Sequence, residues 1–164
     1  MEIRPVREGD ALALAELLNT IISRGGTTAM EEPFTPEALA SALLTGPGVI
    51  CCFVAQEEDG SLAGFQSLLR SDDMPEGVGD IGTFSRVGRV QRGTGSLLFA
   101  ATRRAAAERG LSAINATIRA DNAGGLAFYA RLGFEDHAIS HAVPLRDGTP
   151  IDRVSKRYSL GAAA

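Results

Sequence analysis

The chain has 164 residues, 45% hydrophobic and 22% charged, which suits one folded domain with a full core and excludes a disordered segment. The longest apolar run, Val49 to Ala55, falls far short of the roughly 20 residues a bilayer crossing needs, and no basic-then-apolar leader opens the chain, so a cytoplasmic protein is expected. Net charge is −4, but residues 1–80 set four arginines against fourteen acids while residues 81–164 set eleven arginines and Lys156 against six, which leaves no broad basic face for nucleic acid and fits either a solvated mixed-charge surface or two partners of opposite charge.

Ile3-Arg4-Pro5-Val6 reads as an edge strand, where proline is tolerated. Asp10 stands where a cap belongs, ahead of a helix to about Ile22 with Leu14, Leu17, Leu18 and Ile21 on one stripe. Thr35-Pro36-Glu37 opens a second, short helix. Val49 to Gln56 and Ser61 to Leu69 read as strands joined by an Asp59-Gly60 hairpin turn. Residues 70–80 are acidic and turn-rich, a loop, and Ile81 to Val87 forms the next strand. A helix follows from Thr94 to Arg109, with Leu97, Leu98, Ala101 and Ala105 as its apolar stripe and Gly110 where a C-terminal glycine belongs. Leu111 to Arg119 alternates as a strand, and Asn122 caps a helix running to Leu132 and closed by Gly133. Phe134 to Val143 and Ile151 to Leu160 make a final hairpin through Asp147-Gly148. This mixture without strict alternation predicts an α/β fold, a mixed twisted sheet with helices on both faces.

Adjacent Cys51 and Cys52 supply neither a disulfide framework nor a metal cage, and His137 and His141 share a strand face without a third ligand, so no metal is expected. His141 could still relay a proton. The chemistry concentrates in Gln91-Arg92-Gly93-Thr94-Gly95-Ser96, between a strand and a helix. Glycines there let backbone N–H groups close on a phosphate at the positive end of a helix, and Arg86, Arg89 and Arg92 add charge. A dinucleotide fingerprint would need glycine where Leu98 stands, and a P-loop would need Gly-Lys-Ser/Thr. Further on, Asn122 and Tyr129 lie two helical turns apart, nearly on one face, and a phenol there can donate a proton.

These two elements, in this order, resemble the GNAT superfamily of acetyl-CoA-dependent N-acetyltransferases. Gly93-Thr94-Gly95 is similar to the G-x-G/A of its pyrophosphate loop, and Asn122, Tyr129 and Gly133-Phe134 to the N-x-x-[AG]-x-x-[FL]-Y-x-[KR]-x-G-F signature of its next helix. The loop departs in one place: Val90 stands where the family has Arg or Gln, with Gln91 one position later. Thr28-Ala29-Met30-Glu31-Glu32-Pro33 is partly similar to a region of the phosphinothricin acetyltransferase group.

The resemblance implies a splayed pair of parallel strands, near 81–87 and 111–119, holding acetyl-CoA as co-substrate. Its pyrophosphate would rest on amides of Gln91, Arg92, Gly93, Thr94, Gly95 and Ser96. The segment Phe84, Ser85, Arg86 and Val87 would bind beside the acyl group and supply an oxyanion donor, with Asn122 near the pantetheine arm. Tyr129 would be the general acid, and Asp80 or Glu31 the general base, with Glu32 a rival. The acidic N-terminal half favours a small-molecule amine acceptor, amino-acid-like or cationic. The alternatives are a protein N-terminus or lysine as acceptor, and a non-catalytic acyl-CoA sensor. An exposed sheet edge could pair two chains as a homodimer.

Overall fold

The computed structural model describes residues 1–88 and 93–161. Within them seven strands form one sheet in the order β1-β2-β3-β4-β5-β7-β6. They are β1 (Glu2–Pro5), β2 (Val49–Gln56), β3 (Leu62–Leu69), β4 (Val78–Ser85), β5 (Ala113–Arg119), β6 (Glu135–Pro144) and β7 (Pro150–Ser159). The pair β4–β5 is parallel, and its crossover is supplied by α3 (Thr94–Glu108). The other pairs are antiparallel.

Alternation along the strands divides the core in two. Phe65 of β3 and Phe84 of β4 point to one face, where Leu14 and Leu18 of α1 (Ala11–Arg24) and Leu39 of α2 (Pro36–Leu39) cover them. Leu68 and Ile81 point to the other, under Phe99 and Ala106 of α3 and Tyr129 of α4 (Ala123–Leu132). Each fully buried leucine contributes about 1.5–3 kcal/mol, enough to fix both helical layers and hence the walls of anything between them. Beyond Leu39, α2 runs on as a wider π-type turn, Ala40–Leu44. No helix among the described residues is long and apolar enough to cross a membrane.

Three sequence expectations need correction. Asp10 does not cap α1. Its φ and ψ of −81° and −16° are already helical, so its carboxylate turns back to take both Arg4 guanidinium nitrogens at 2.9 Å and the Arg7 amide at 2.7 Å. Thr35, in extended conformation, does cap α2, accepting from the Ala38 amide. The loop after β3 ends earlier than expected, because Val78 to Asp80 already pair with β5 and Asp80 also pairs with Leu69. The buried stripe of α3 is Leu98, Phe99, Thr102, Ala105 and Ala106, while Leu97 is half-exposed. The helix lies over β2, β3 and β4 at once, and Leu97 falls on the side turned from all three.

Candidate active site

The parallel ladder between β4 and β5 runs from Val78 opposite Ala113 to Ile81 opposite Ala116 and stops, although the strands continue to Ser85 and Arg119. β3 holds β4 as far as Ser85, and β7 holds β5 as far as Arg119. Each strand is thus braced from outside while the two diverge. A cleft of about 1260 Å³ passes through the sheet at this gap. Thr83, Ser85, Gly95 and Tyr129 line it toward α3 and α4, and Asp73, Asp80, Arg119 and Arg153 line it toward α1.

Backbone groups along the gap are left for a ligand. Arg86 gives its N–H to the Ala63 carbonyl of β3, so alternation turns the Ser85 N–H the other way, into the cleft. At the start of α3, Gly93 takes a left-handed φ of 94° with open space where a side chain would be. The next glycine is closely packed: a Cβ on Gly95 would lie 2.6 Å from the Phe128 ring. The amides of Gly95 and Ser96 precede the first carbonyl that the helix can offer them, so they face outward at the positive end of α3. A cradle of glycine backbone at a helix start fits the anionic end of a nucleotide donor.

Not every expected donor contact is on the wall. Gln91 and Arg92, with Arg89 and Val90, lie outside the described residues. Arg86 directs its guanidinium to the Leu62 carbonyl at 2.9 Å, away from the cleft, because β3 runs alongside and offers that acceptor. Phe84 stacks on Phe65 at 4.9 Å yet reaches the wall, as does Val87 at its lip. Thr94 is buried beneath the first turn. Asn122 does line the cleft; it caps α4, accepting from Gly125 at 2.9 Å, and donates to the Thr27 carbonyl at 3.0 Å.

The structure brings two expected catalytic groups to the cleft. Tyr129 packs against Phe128 and Phe134 and sets its hydroxyl 2.8 Å from Thr83 Oγ1. Burial pushes the phenol up to about 12, with the Thr83 hydrogen bond opposing and the charge of Asp80 adding. Asp80 accepts from Asn115 Nδ2 at 3.0 Å. Burial raises its carboxyl, while Asn115 and the nearby Arg157 guanidinium pull it down and Asp73 adds to the rise.

Glu31 stands elsewhere. Asn122 and Arg119 hold the Thr27 and Thr28 carbonyls, which sets segment 27–30 along the cleft and turns the following acids away. Glu31 accepts the Arg146 amide at 2.8 Å on the β6–β7 turn, and Glu32 pairs with the Arg146 guanidinium. His141 is exposed and pairs with Asp152 at 3.2 Å, and neither is among the residues that line the cleft. Sequence reasoning missed Gln66, Thr83, Asn115, Arg119 and Arg153. Gln66 carries a readable signal, as an amide set in a strand of otherwise small or apolar residues, and Asn115 stands likewise among the small and apolar residues that precede Arg119. The arginines carry none until the strands are paired.

The family model described as acetyltransferase (GNAT) family matches residues 14–134. A GNAT superfamily phosphinothricin acetyltransferase from Sinorhizobium meliloti, solved in complex with acetyl-CoA, aligns with a TM-score of 0.85 and 21% identity over 98% of this chain and 88% of that one. A ribosomal-protein-alanine N-acetyltransferase from Brucella melitensis gives 0.82 and 20% over 97% and 99%. An N-acetyltransferase from Staphylococcus aureus Mu50 gives 0.83 and 17% over 98% of each chain. No curated protein matches. At these identities the structural likeness establishes the fold, which proteins named for acceptors as different as phosphinothricin and a ribosomal-protein alanine share.

Proposed function

The chain belongs to the acetyltransferase (GNAT) family, and from that we propose that it moves the acetyl group of acetyl-CoA to the primary amine of a small molecule, amino-acid-like or cationic, with both substrates held together in the through-sheet cleft. The observation that carries the small acceptor is the strap of residues 27–30. It lines the cleft and is fastened at Thr27 to Asn122, at Thr28 to Arg119, and just beyond at Glu31 and Glu32 to Arg146. A protein N-terminus or lysine needs an open groove at this mouth. Asp73, Asp80 and Arg153 put both signs of charge on the same stretch of wall, a complement to an ammonium and a carboxylate.

Bound acetyl-CoA supplies a thioester whose carbonyl carbon an amine can attack. The first turn of α3, at Gly93, Gly95 and Ser96, receives the anionic end. The Ser85 N–H, aimed into the gap, stands ready for the negative charge that grows on the carbonyl oxygen. An alkyl amine has a pKa of about 10 and arrives protonated near neutral pH. Asp80, made more basic by burial, accepts that proton directly or through water. Tyr129 retains its own proton across the neutral range and delivers it to the departing sulfur.

The test is thiol release from acetyl-CoA with a panel of amino acids, polyamines, aminoglycosides and short peptides. Saturable release with one small amine is the expected result. Release with peptides alone overturns the small acceptor, and silence across the panel with acetyl-CoA still bound by calorimetry overturns the catalytic reading.

A further inference from the structure

Tyr129 ends a chain of polar groups that runs from the core to the cleft wall. Gln66 lies in β3 with no exposure at all, opposite Thr83 in the β3–β4 register and on the face turned to α3 and α4. Its Nε2 donates to Thr83 Oγ1 at 2.9 Å, and that oxygen lies 2.8 Å from the Tyr129 hydroxyl. A threonine hydroxyl has one proton and two lone pairs. With one lone pair taken by Gln66, Thr83 can meet Tyr129 either as donor or as acceptor. A hydroxyl that already accepts a hydrogen bond is the stronger donor, because the bonds in a chain polarise one another.

We infer that Gln66 and Thr83 are positioning residues for the proton transfer: Gln66 sets Thr83 as donor to the Tyr129 oxygen, which leaves the phenol's own O–H to point into the cleft. This rests on the reading of Tyr129 as the acid. As the C–S bond breaks, sulfur keeps the electron pair and takes the Tyr129 proton. The phenolate left behind keeps the Thr83 hydrogen bond until it regains the proton shed by the amine, passed on from Asp80 through water. Two protons leave the ammonium nitrogen, one to Asp80 before attack and one as the amide forms; one replaces the Tyr129 proton that reached sulfur, the other passes to solvent, and the protein is unchanged.

A second observation separates this role from packing. The Gln66 Oε1 is buried without a partner among the described residues. A buried carbonyl left unbonded costs stability, so an apolar side chain of the same length would serve the core at least as well. The amide is explained by its N–H and by what that N–H does to Thr83.

The experiment compares Thr83→Val, Thr83→Ser, Gln66→Met, Tyr129→Phe and the Thr83→Val/Tyr129→Phe double variant. Thiol release is followed with the panel amine that gives the highest rate, and melting temperature is measured beside it. Thr83→Val should lower kcat about tenfold or more with KM for acetyl-CoA within about twofold, and Thr83→Ser should restore most of the loss. Gln66→Met should lower kcat several-fold while the melting temperature holds or rises. In the Tyr129→Phe background, Thr83→Val should cost nothing more, as for groups that act as a unit. Full kcat in Thr83→Val beside an impaired Tyr129→Phe overturns the positioning role alone, as does an equal further loss in the double variant. Full turnover in Tyr129→Phe overturns the acid assignment itself.

Discussion

Replacing Gly95 by alanine sets two opposed effects on one methyl group. Alanine is the better helix former, by at most about 1 kcal/mol. The new Cβ, however, would stand 2.6 and 2.7 Å from two atoms of the Phe128 ring, where ordinary contact begins at 3.4 Å. At least 0.8 Å must therefore open between α3 and α4, by a turn of the Phe128 ring or a shift of the first turn of α3. Overpacking of this kind costs about 1–3 kcal/mol. Both yielding parts are cleft wall, so the strain falls on donor binding. At about 1.4 kcal/mol per tenfold, acetyl-CoA affinity should weaken about 5- to 140-fold, while the melting temperature falls by roughly 0–8 °C, the net of overpacking and propensity. Isothermal calorimetry of Gly95→Ala, with Gly95→Ala/Phe128→Leu as the relieving double variant, measures it. Affinity within twofold of the parent, or no recovery in the double variant, would refute the reasoning.

Asp80→Asn should reduce turnover by about a hundredfold or more. The parent's kcat/KM should fall on the acid side through a pKa above the ordinary carboxylate range, and the variant should lack that limb; a pH–rate series that is parallel in both excludes Asp80 as base. Because burial raises the folded-state pKa of Asp80, its ionised form weakens the fold once pH rises through that value, so Asp80→Asn should melt higher than the parent at neutral pH, with the gain shrinking toward pH 4. Asp10 works in the opposite sense. Arg4 holds its carboxyl below the usual range, so its contribution is whole above about pH 5 and fades as pH falls through the depressed value. Asp10→Ala strands a nearly buried Arg4, a loss of about 3–5 kcal/mol, or roughly 6–20 °C in melting temperature at pH 7; a drop under about 2 °C would show the pair to be idle.

The strands and helices were legible wherever a local device marks them. Asn122 and Gly133 bracket α4 by a side-chain cap and a left-handed glycine, and both stand where the sequence puts them. Asp10 failed because a cap and an ion-pair partner look alike in a string of letters, and Arg4 comes close only when the turn between β1 and α1 folds back on itself. The site divides in the same way. Tyr129 and the Gly93–Ser96 turn sit in runs with their own spacing. Thr83 is legible only through the β3–β4 register that brings Gln66 to it, and Arg119 and Arg153 meet only by the β5–β7 pairing. Glu31 looked as eligible as Asp80 until the Arg146 turn, more than a hundred residues away, claimed it.

A cleft that pierces a sheet has two mouths. One opens among α3 and α4, the other beneath the strap and α1, and they meet only where β4 and β5 part. On the proposed function the donor and the acceptor would then have separate approaches, neither blocking the other's way in or out. Steady-state kinetics should follow intersecting lines with no compulsory first ligand. Free CoA should compete with acetyl-CoA while leaving the amine's mouth open, and an acetylated product can depart with CoA still seated. The same divergence of strands that makes room for the reaction thus also governs the traffic through it.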